Sequence, residues 1–279
     1  MPIHGTHEMT DSGVDLRSYF EPEDIAALGT FESGHYWHLA RRKVVLDALP
    51  RVAKDARLLD IGCGPGTTTT FFNGHGHTVD YADVHHEALS ISRALAEREL
   101  GADAVAQRRF LQLDICRDPV PSGYAGILLL DVIEHLPDDV GALSSVRAGL
   151  TPGDHLVVTV PAFPSLWSRF DEQVKHKRRY TLKTARAAVE AAGFEVDHAT
   201  YFFSPLFVAA GAVKVAREIR KKAPARWRAH DEGIEGLMEA RTSPALTKIL
   251  VSVLALERPI VRRGRVPFGT SILCVARAR

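Results

Sequence analysis

The segment Leu58-Leu59-Asp60-Ile61-Gly62-Cys63-Gly64-Pro65-Gly66-Thr67 constrains the fold of this chain more than any other. An apolar run interrupted near its end by an acid passes straight into three glycines at alternate positions. Glycine tolerates positive φ and lets a second backbone or a ligand approach closely. A parallel strand that feeds such a turn and then a helix brings backbone N–H groups to a crevice above the strand's end. A glycine triplet alone fits any tight turn of an α/β protein, so the neighbouring residues decide what it holds.

Those neighbours repeat one pattern. Residues 57–61, 78–83, 110–113, 126–130, 155–160, 194–200 and 271–276 read as strands. Helices are expected over 35–49, from Thr67, over 87–100, from Pro137-Asp138 to 151–153, over 181–192 and over about 245–256. The run 126–130 is apolar throughout, as in a strand covered on both faces. Gly193 closes its helix in the position that favours glycine. Strands alternating with helices predict a doubly wound parallel sheet of seven strands. The last two strands lack a simple right-handed crossover helix between them, so the last strand is expected to run antiparallel. Four parts follow: a disordered lead (1–14) and helical cap within 1–50, a sheet core over 51–201, a helical insertion over 202–265, and a final core strand over 266–279.

Charge and cysteine content narrow the class. A net charge of +1 creates no global field to recruit nucleic acid, and none is expected as a partner. Cys63, Cys116 and Cys274 are odd in number and lie in or beside apolar strand segments, which argues for a reducing, cytoplasmic setting without a disulfide framework. No CxxC or HExxH spacing suggests a structural zinc. The polar start lacks a signal-peptide core, and no uncharged apolar run reaches the roughly 20 residues of a spanning helix.

Ligands of open α/β sheets bind at the carboxyl ends of the strands. Asp60, Asp83, Asp114 and Asp131 all fall there, and Glu134-His135 follow on the fourth loop. An acid ending the second strand suits a ribose diol, because one carboxylate accepts from both hydroxyls.

With these residues the chain resembles the class I S-adenosylmethionine-dependent methyltransferases. The likeness rests on Leu58–Gly66, on Val79-Asp80-Tyr81-Ala82-Asp83-Val84, and on Leu128-Leu129-Leu130-Asp131-Val132-Ile133-Glu134-His135-Leu136-Pro137-Asp138. The glycine spacing departs from the GxGxxG of nicotinamide enzymes. The resemblance implies a Rossmann-like fold and S-adenosyl-L-methionine as methyl donor, leaving as S-adenosyl-L-homocysteine. It implies that Gly62 and Gly64 lie under the methionine part and that Asp60 meets its ammonium. It further implies that Asp83 holds the ribose, Val84 packs on the adenine, Asp114 accepts from the adenine amine, Ile115 lies against the ring, and Asp131 and Val132 line the methionine side. A finer likeness to a bacterial subgroup related to types 11 and 12 covers His35-Tyr36-Trp37 with Arg41, the segment from Val160 to Thr181, and Pro267–Ser271. Trp37 and Arg41 then either close over the methionine carboxylate or simply pack the cap on the core.

In this fold the loop after the fifth strand faces the sulfonium. It carries Asp171, His176, Arg178, Arg179 and Tyr180. His176 has the pKa of a general base; Asp171 would orient it, and Tyr180 would hydrogen-bond a substrate oxygen. The competing reading is an ion-pair lattice that anchors the loop. His135 is a second candidate base. One imidazole and one carboxylate do not make a metal site, so none is assigned.

The implied activity is methyl transfer to an O, N or C nucleophile of a small-molecule acceptor. The aromatic cap favours an apolar, ring-bearing or lipid-linked one. The alternative is a non-catalytic cofactor-binding subunit. The insertion opens on an apolar run and continues with Lys214, Arg217, Arg220, Lys221, Lys222, Arg226 and Arg228 against Glu218. Three readings stay open for it: a lid, a homodimer contact, or a peripheral contact with the inner face of a membrane.

Overall fold

A computed structural model describes residues 22–49, 56–221 and 242–279. The lead over 1–14 and the basic residues Lys222, Arg226 and Arg228 lie outside the described residues.

Two cap helices, α1 (Pro22–Gly34) and α2 (Tyr36–Ala48), precede the sheet. The core then alternates β1 (Arg57–Ile61), α3 (Thr67–Gly74), β2 (Thr78–Asp83), α4 (His86–Leu100), α5 (Ala102–Ala106), β3 (Phe110–Gln112) and β4 (Gly126–Leu130). It continues through α6 (Asp139–Ala148), β5 (His155–Pro161), α7 (Arg169–Gln173), α8 (Leu182–Ala191) and β6 (Phe194–Phe202). The insertion contributes α9 (Ser204–Lys221), α10 (Pro244–Ala255) and α11 (Arg258–Arg263), and β7 (Ser271–Ala278) follows.

The seven strands form one sheet in the order β3-β2-β1-β4-β5-β7-β6. All pairings from β3 to β5 are parallel, and β7 runs antiparallel to both β5 and β6. The chain order reverses direction between β1 and β4, and there a crevice opens above the strand ends. Every residue of β4 is buried, which explains its unbroken apolar sequence.

Two local devices hold the insertion to the core. Glu257, buried between α10 and α11, accepts from the backbone N–H groups of Phe203 and Ser204 and from the Ser204 hydroxyl (2.6 Å), closing the β6–α9 corner. Arg258 forks onto Asp47 of α2 at 2.7 and 2.8 Å. Gly269 lets the chain cross that corner, because a Cβ there would lie 2.1 Å from the Phe202 carbonyl oxygen.

The observed elements differ from the sequence reading mainly at their ends. Strand β3 has three residues, β6 and β7 are longer than expected, and α6 starts at Asp139, with Asp138 as the cap that accepts from Gly141 N–H at 2.8 Å. Helix α1 was not anticipated. The three cysteines are free thiols. Among the described residues no helix is long and apolar enough to cross a membrane.

Candidate active site

A cavity of about 450 Å3 opens over the ends of β1, β2 and β4 and is roofed by α1 and α2. Its floor is the glycine loop. Gly62 sits at φ +76, where an added Cβ would come within 2.6 Å of Val132. Gly64 sits at φ +53 with nothing within 4 Å of such a Cβ, so the loop presents bare backbone to the cavity.

Five carboxylates line this cavity, and four of them, Glu32, Asp60, Asp83 and Asp131, stand at the glycine-loop end. Asp83 accepts from Gly64 N–H (2.8 Å) and His85 N–H (2.9 Å), which locks the end of β2 onto the glycine loop. Asp60 accepts from the Thr69 hydroxyl through Oδ2, while its buried Oδ1 has no hydrogen-bond partner. Burial pushes the Asp60 carboxyl up to about 7, against the Thr69 bond and the charge of Arg41. Burial likewise raises Glu32, which accepts from the Thr67 hydroxyl. Arg41 opposes Glu32, Asp60 and Asp131. It pairs with Asp131, which also accepts from Thr159 at 2.9 Å, and it donates to the Leu130 carbonyl at 3.3 Å. Trp37 lines the cavity with its ring 5.1 Å from the Arg41 guanidinium. Asp131 holds φ +59, outside the usual region for a side-chain-bearing residue, and so turns its carboxylate into this network.

Val84, Leu113, Ile115 and Val132 provide apolar walls. Asp114 does not line the cavity. Its carboxylate accepts from Cys116 N–H at 2.9 Å and so closes its own turn, which leaves Leu113 and Ile115 to face inward.

At the other end lie Glu134, His135 and His176. Nδ1 of His176 is 2.8 Å from Asp171 Oδ1. Asp171 is fully buried behind it and accepts also from Arg179 Nε (2.7 Å) and Ser168 N–H (2.8 Å). Burial alone would raise this carboxyl, but the bonds from His176 and Arg179 hold it down at about 2. An ionised Asp171 accepts only, so the His176 proton sits on Nδ1 and Nε2 is left as the basic nitrogen. Nε2 lies 3.8 Å from Glu134 Oε1. Glu134 is fully buried with no hydrogen-bond partner on either carboxylate oxygen; burial, with the charge of Asp131 adding to it, drives its pKa well up. Burial and the neighbouring His176 lower His135 to about 4, so it is neutral near pH 7.

Tyr180 lies outside the cavity: its hydroxyl donates to Asp139 at 2.6 Å, and burial and that contact raise its pKa. Arg178 also binds Asp139 (2.7 Å) and the Leu136 and Pro137 carbonyls, so an anchoring lattice is present beside the His176 site. Ligand atoms of Glu134, His135 and His176 lie within 4.8 Å of one another, a set that can take a cation. Sequence reasoning had stopped at Glu134-His135, because the third donor comes from a segment that only the fold brings near. Glu32 and His38, which the sequence does not single out, also face the cavity from the cap, beside His35.

A family model described as a methyltransferase domain matches residues 35–199. A ubiquinone biosynthesis O-methyltransferase from Marinobacter nauticus is 29% identical over 104 residues, 37% of this chain and 43% of that protein. One of the same description from Aeromonas salmonicida is 25% identical over 155 residues, 54% of this chain and 63% of that one. The chain thus spans about half the length of these curated relatives. Among solved structures, phosphoethanolamine N-methyltransferase 2 of Haemonchus contortus in complex with S-adenosyl-L-methionine superposes with a TM-score of 0.59 at 15% identity, covering 95% of this chain and 60% of that one. At that identity the likeness is one of fold.

Proposed function

The chain belongs to the methyltransferase domain family, and from that premise we propose that it is an enzyme that moves a methyl group from S-adenosyl-L-methionine to a small-molecule acceptor. One observation carries this reading: among the described residues, Glu32, Asp60, Asp83 and Asp131 share the glycine-loop end of the cavity with one cation, Arg41, and one of their oxygens, Oδ1 of Asp60, is buried without a partner. Such a pocket is short of positive charge and short of a donor, which a ligand bearing a sulfonium and an ammonium supplies.

In this reading Asp60 takes the ammonium, Asp83 the ribose hydroxyls, and Val84, Leu113 and Ile115 the adenine. Arg41 and Trp37 close the methionine end from α2. When bound, the cofactor supplies an electrophilic methyl group with a good leaving group already attached. The chain's own residues then position the acceptor and take its proton. His176 accepts that proton at Nε2, and Asp171 holds the ring and stabilises the imidazolium that results. His135, kept neutral, borders the same space. The walls at this end, Leu136, Leu166, Phe170 and Val174, are apolar and suit a ring-bearing or lipid-linked acceptor whose nucleophilic atom is O, N or C.

Thermal denaturation tests the cofactor. S-adenosyl-L-homocysteine should stabilise the protein and NADH should not. Release of S-adenosyl-L-homocysteine in the presence of candidate acceptors distinguishes an enzyme from a subunit that binds the cofactor without turnover.

A further inference from the structure

Leu246, Ile249, Val253, Leu256 and Ile260 recur at spacings of three, four, three and four along α10 and into α11. That spacing places them on one stripe. They are exposed by 44, 59, 39, 77 and 57% respectively, whereas Thr247, Leu254, Glu257 and Val261 on the adjoining face are buried. The helices therefore use one face to pack on the core and turn this apolar stripe outward, with the exposed Ser252 and Arg263 beside it. Val208 of α9, exposed by 60%, adds to the outward apolar surface of the insertion.

The charges on these two helices have one sign. Lys248 and Arg263 are exposed, Arg258 is spent on Asp47, and Arg262 follows Val261; the only carboxylate, Glu257, is buried against Phe203 and Ser204. In the sequence, the end of α9 and the start of the connection into α10 carry the cluster from Lys214 to Arg228 with Glu218 as its one acid, and Asp231, Glu232, Glu235 and Glu239 follow only after it. A second copy docked on this stripe would set cations against cations in either helix orientation. An anionic lipid surface meets both features at once, taking the apolar stripe into the acyl boundary and the cations into the headgroups.

We propose that the α10–α11 stripe from Leu246 to Ile260 is a docking face for an anionic membrane surface, on which the protein lies without crossing. Helix α9 joins this face to the cavity, since Pro205, Leu206 and Ala209 line an apolar crevice against α10 while Ala210 lines the cavity itself. The docking is independent of whether the cavity carries out methyl transfer.

Flotation of the full chain with vesicles, in the absence of any cofactor, tests it. The protein should float with mixed phosphatidylcholine–phosphatidylglycerol vesicles and partition at least about tenfold less onto phosphatidylcholine alone. The double variant Ile249→Glu/Leu256→Glu should lose at least about tenfold of the binding. Its substitutions are at exposed positions, and its melting temperature should match that of the parent. A second variant, Lys248→Glu/Arg263→Glu, should lose binding to the anionic vesicles as well, so the result does not hang on one pair of substitutions. The proposal is overturned if the parent stays in the soluble fraction with both vesicles, or if both folded variants float as it does. It is also overturned if Ile249→Glu/Leu256→Glu turns a dimer into a monomer by light scattering with flotation unchanged, which assigns the stripe to a second copy.

Discussion

Asp171 holds His176 by its Nδ1 at 2.8 Å and thereby turns Nε2 toward Glu134 and the cavity. The pair depends on α7: Ser168 and Asp171 form its capping box, so one carboxylate both starts the helix and orients the imidazole. His176→Ala should lower kcat by about 10²–10⁴, the usual worth of a positioned base. Its affinity for S-adenosyl-L-homocysteine should stay near that of the parent. Steady-state kinetics beside calorimetry separates the two, and unchanged turnover would remove His176 as the base.

Asp83→Ala should abolish the thermal shift given by S-adenosyl-L-homocysteine. The substitution removes the ribose partner and also releases Gly64 N–H and His85 N–H from their acceptor. A variant that still binds normally would show that the ribose is held elsewhere.

The binding of S-adenosyl-L-homocysteine should weaken as pH falls. The Asp60 carboxyl sits at about 7 in the ligand-free protein because it is buried. A protonated carboxyl no longer attracts an ammonium, so each pH unit below that value should cost up to about tenfold in affinity. The same raised pKa means that Asp60 favours the ligand-free folded state more at low pH and loses that contribution as pH rises through about 7. Calorimetry from pH 8 to pH 5.5 reads the slope, and Asp60→Asn should flatten it while binding more weakly at pH 8.

Arg41→Ala should destabilise the protein by about 3–5 kcal/mol, because it strands Asp131 beside Glu32 and Asp60 with no cation among them. Urea denaturation followed by circular dichroism measures this. A loss under about 1 kcal/mol would mean that the pair is solvated like a surface bridge.

The parts of this molecule that were legible in the sequence are those decided locally. The all-buried β4 needs apolar side chains on both faces, and its five-residue run says so. The glycine loop needs positive φ at Gly62 and Gly64, which few residue types supply. What escaped depends on distant neighbours. Helix α1 turns Ile25, Leu28, Phe31 and Glu32 toward a cavity rather than a packed core, so its apolar pattern is diluted by polar residues and does not announce a helix. Asp114 stands at the expected strand end, but its rotamer is settled by the Cys116 N–H of its own turn. Tyr180 looked free to meet substrate because its partner, Asp139, is 41 residues away.

The position of β7 sets an order on how the molecule comes into being. It lies between β5 and β6, and β6 has no other neighbour in the sheet. On the ribosome, β2 to β5 can pair as they emerge, since each finds a parallel partner among strands already made. Strand β6 cannot until β7 has emerged, and the corner at Phe202 and Phe203 cannot close until Glu257 has. During synthesis the half of the sheet carrying the glycine loop should therefore consolidate first, while β6 waits with both edges open and in need of protection from other nascent chains.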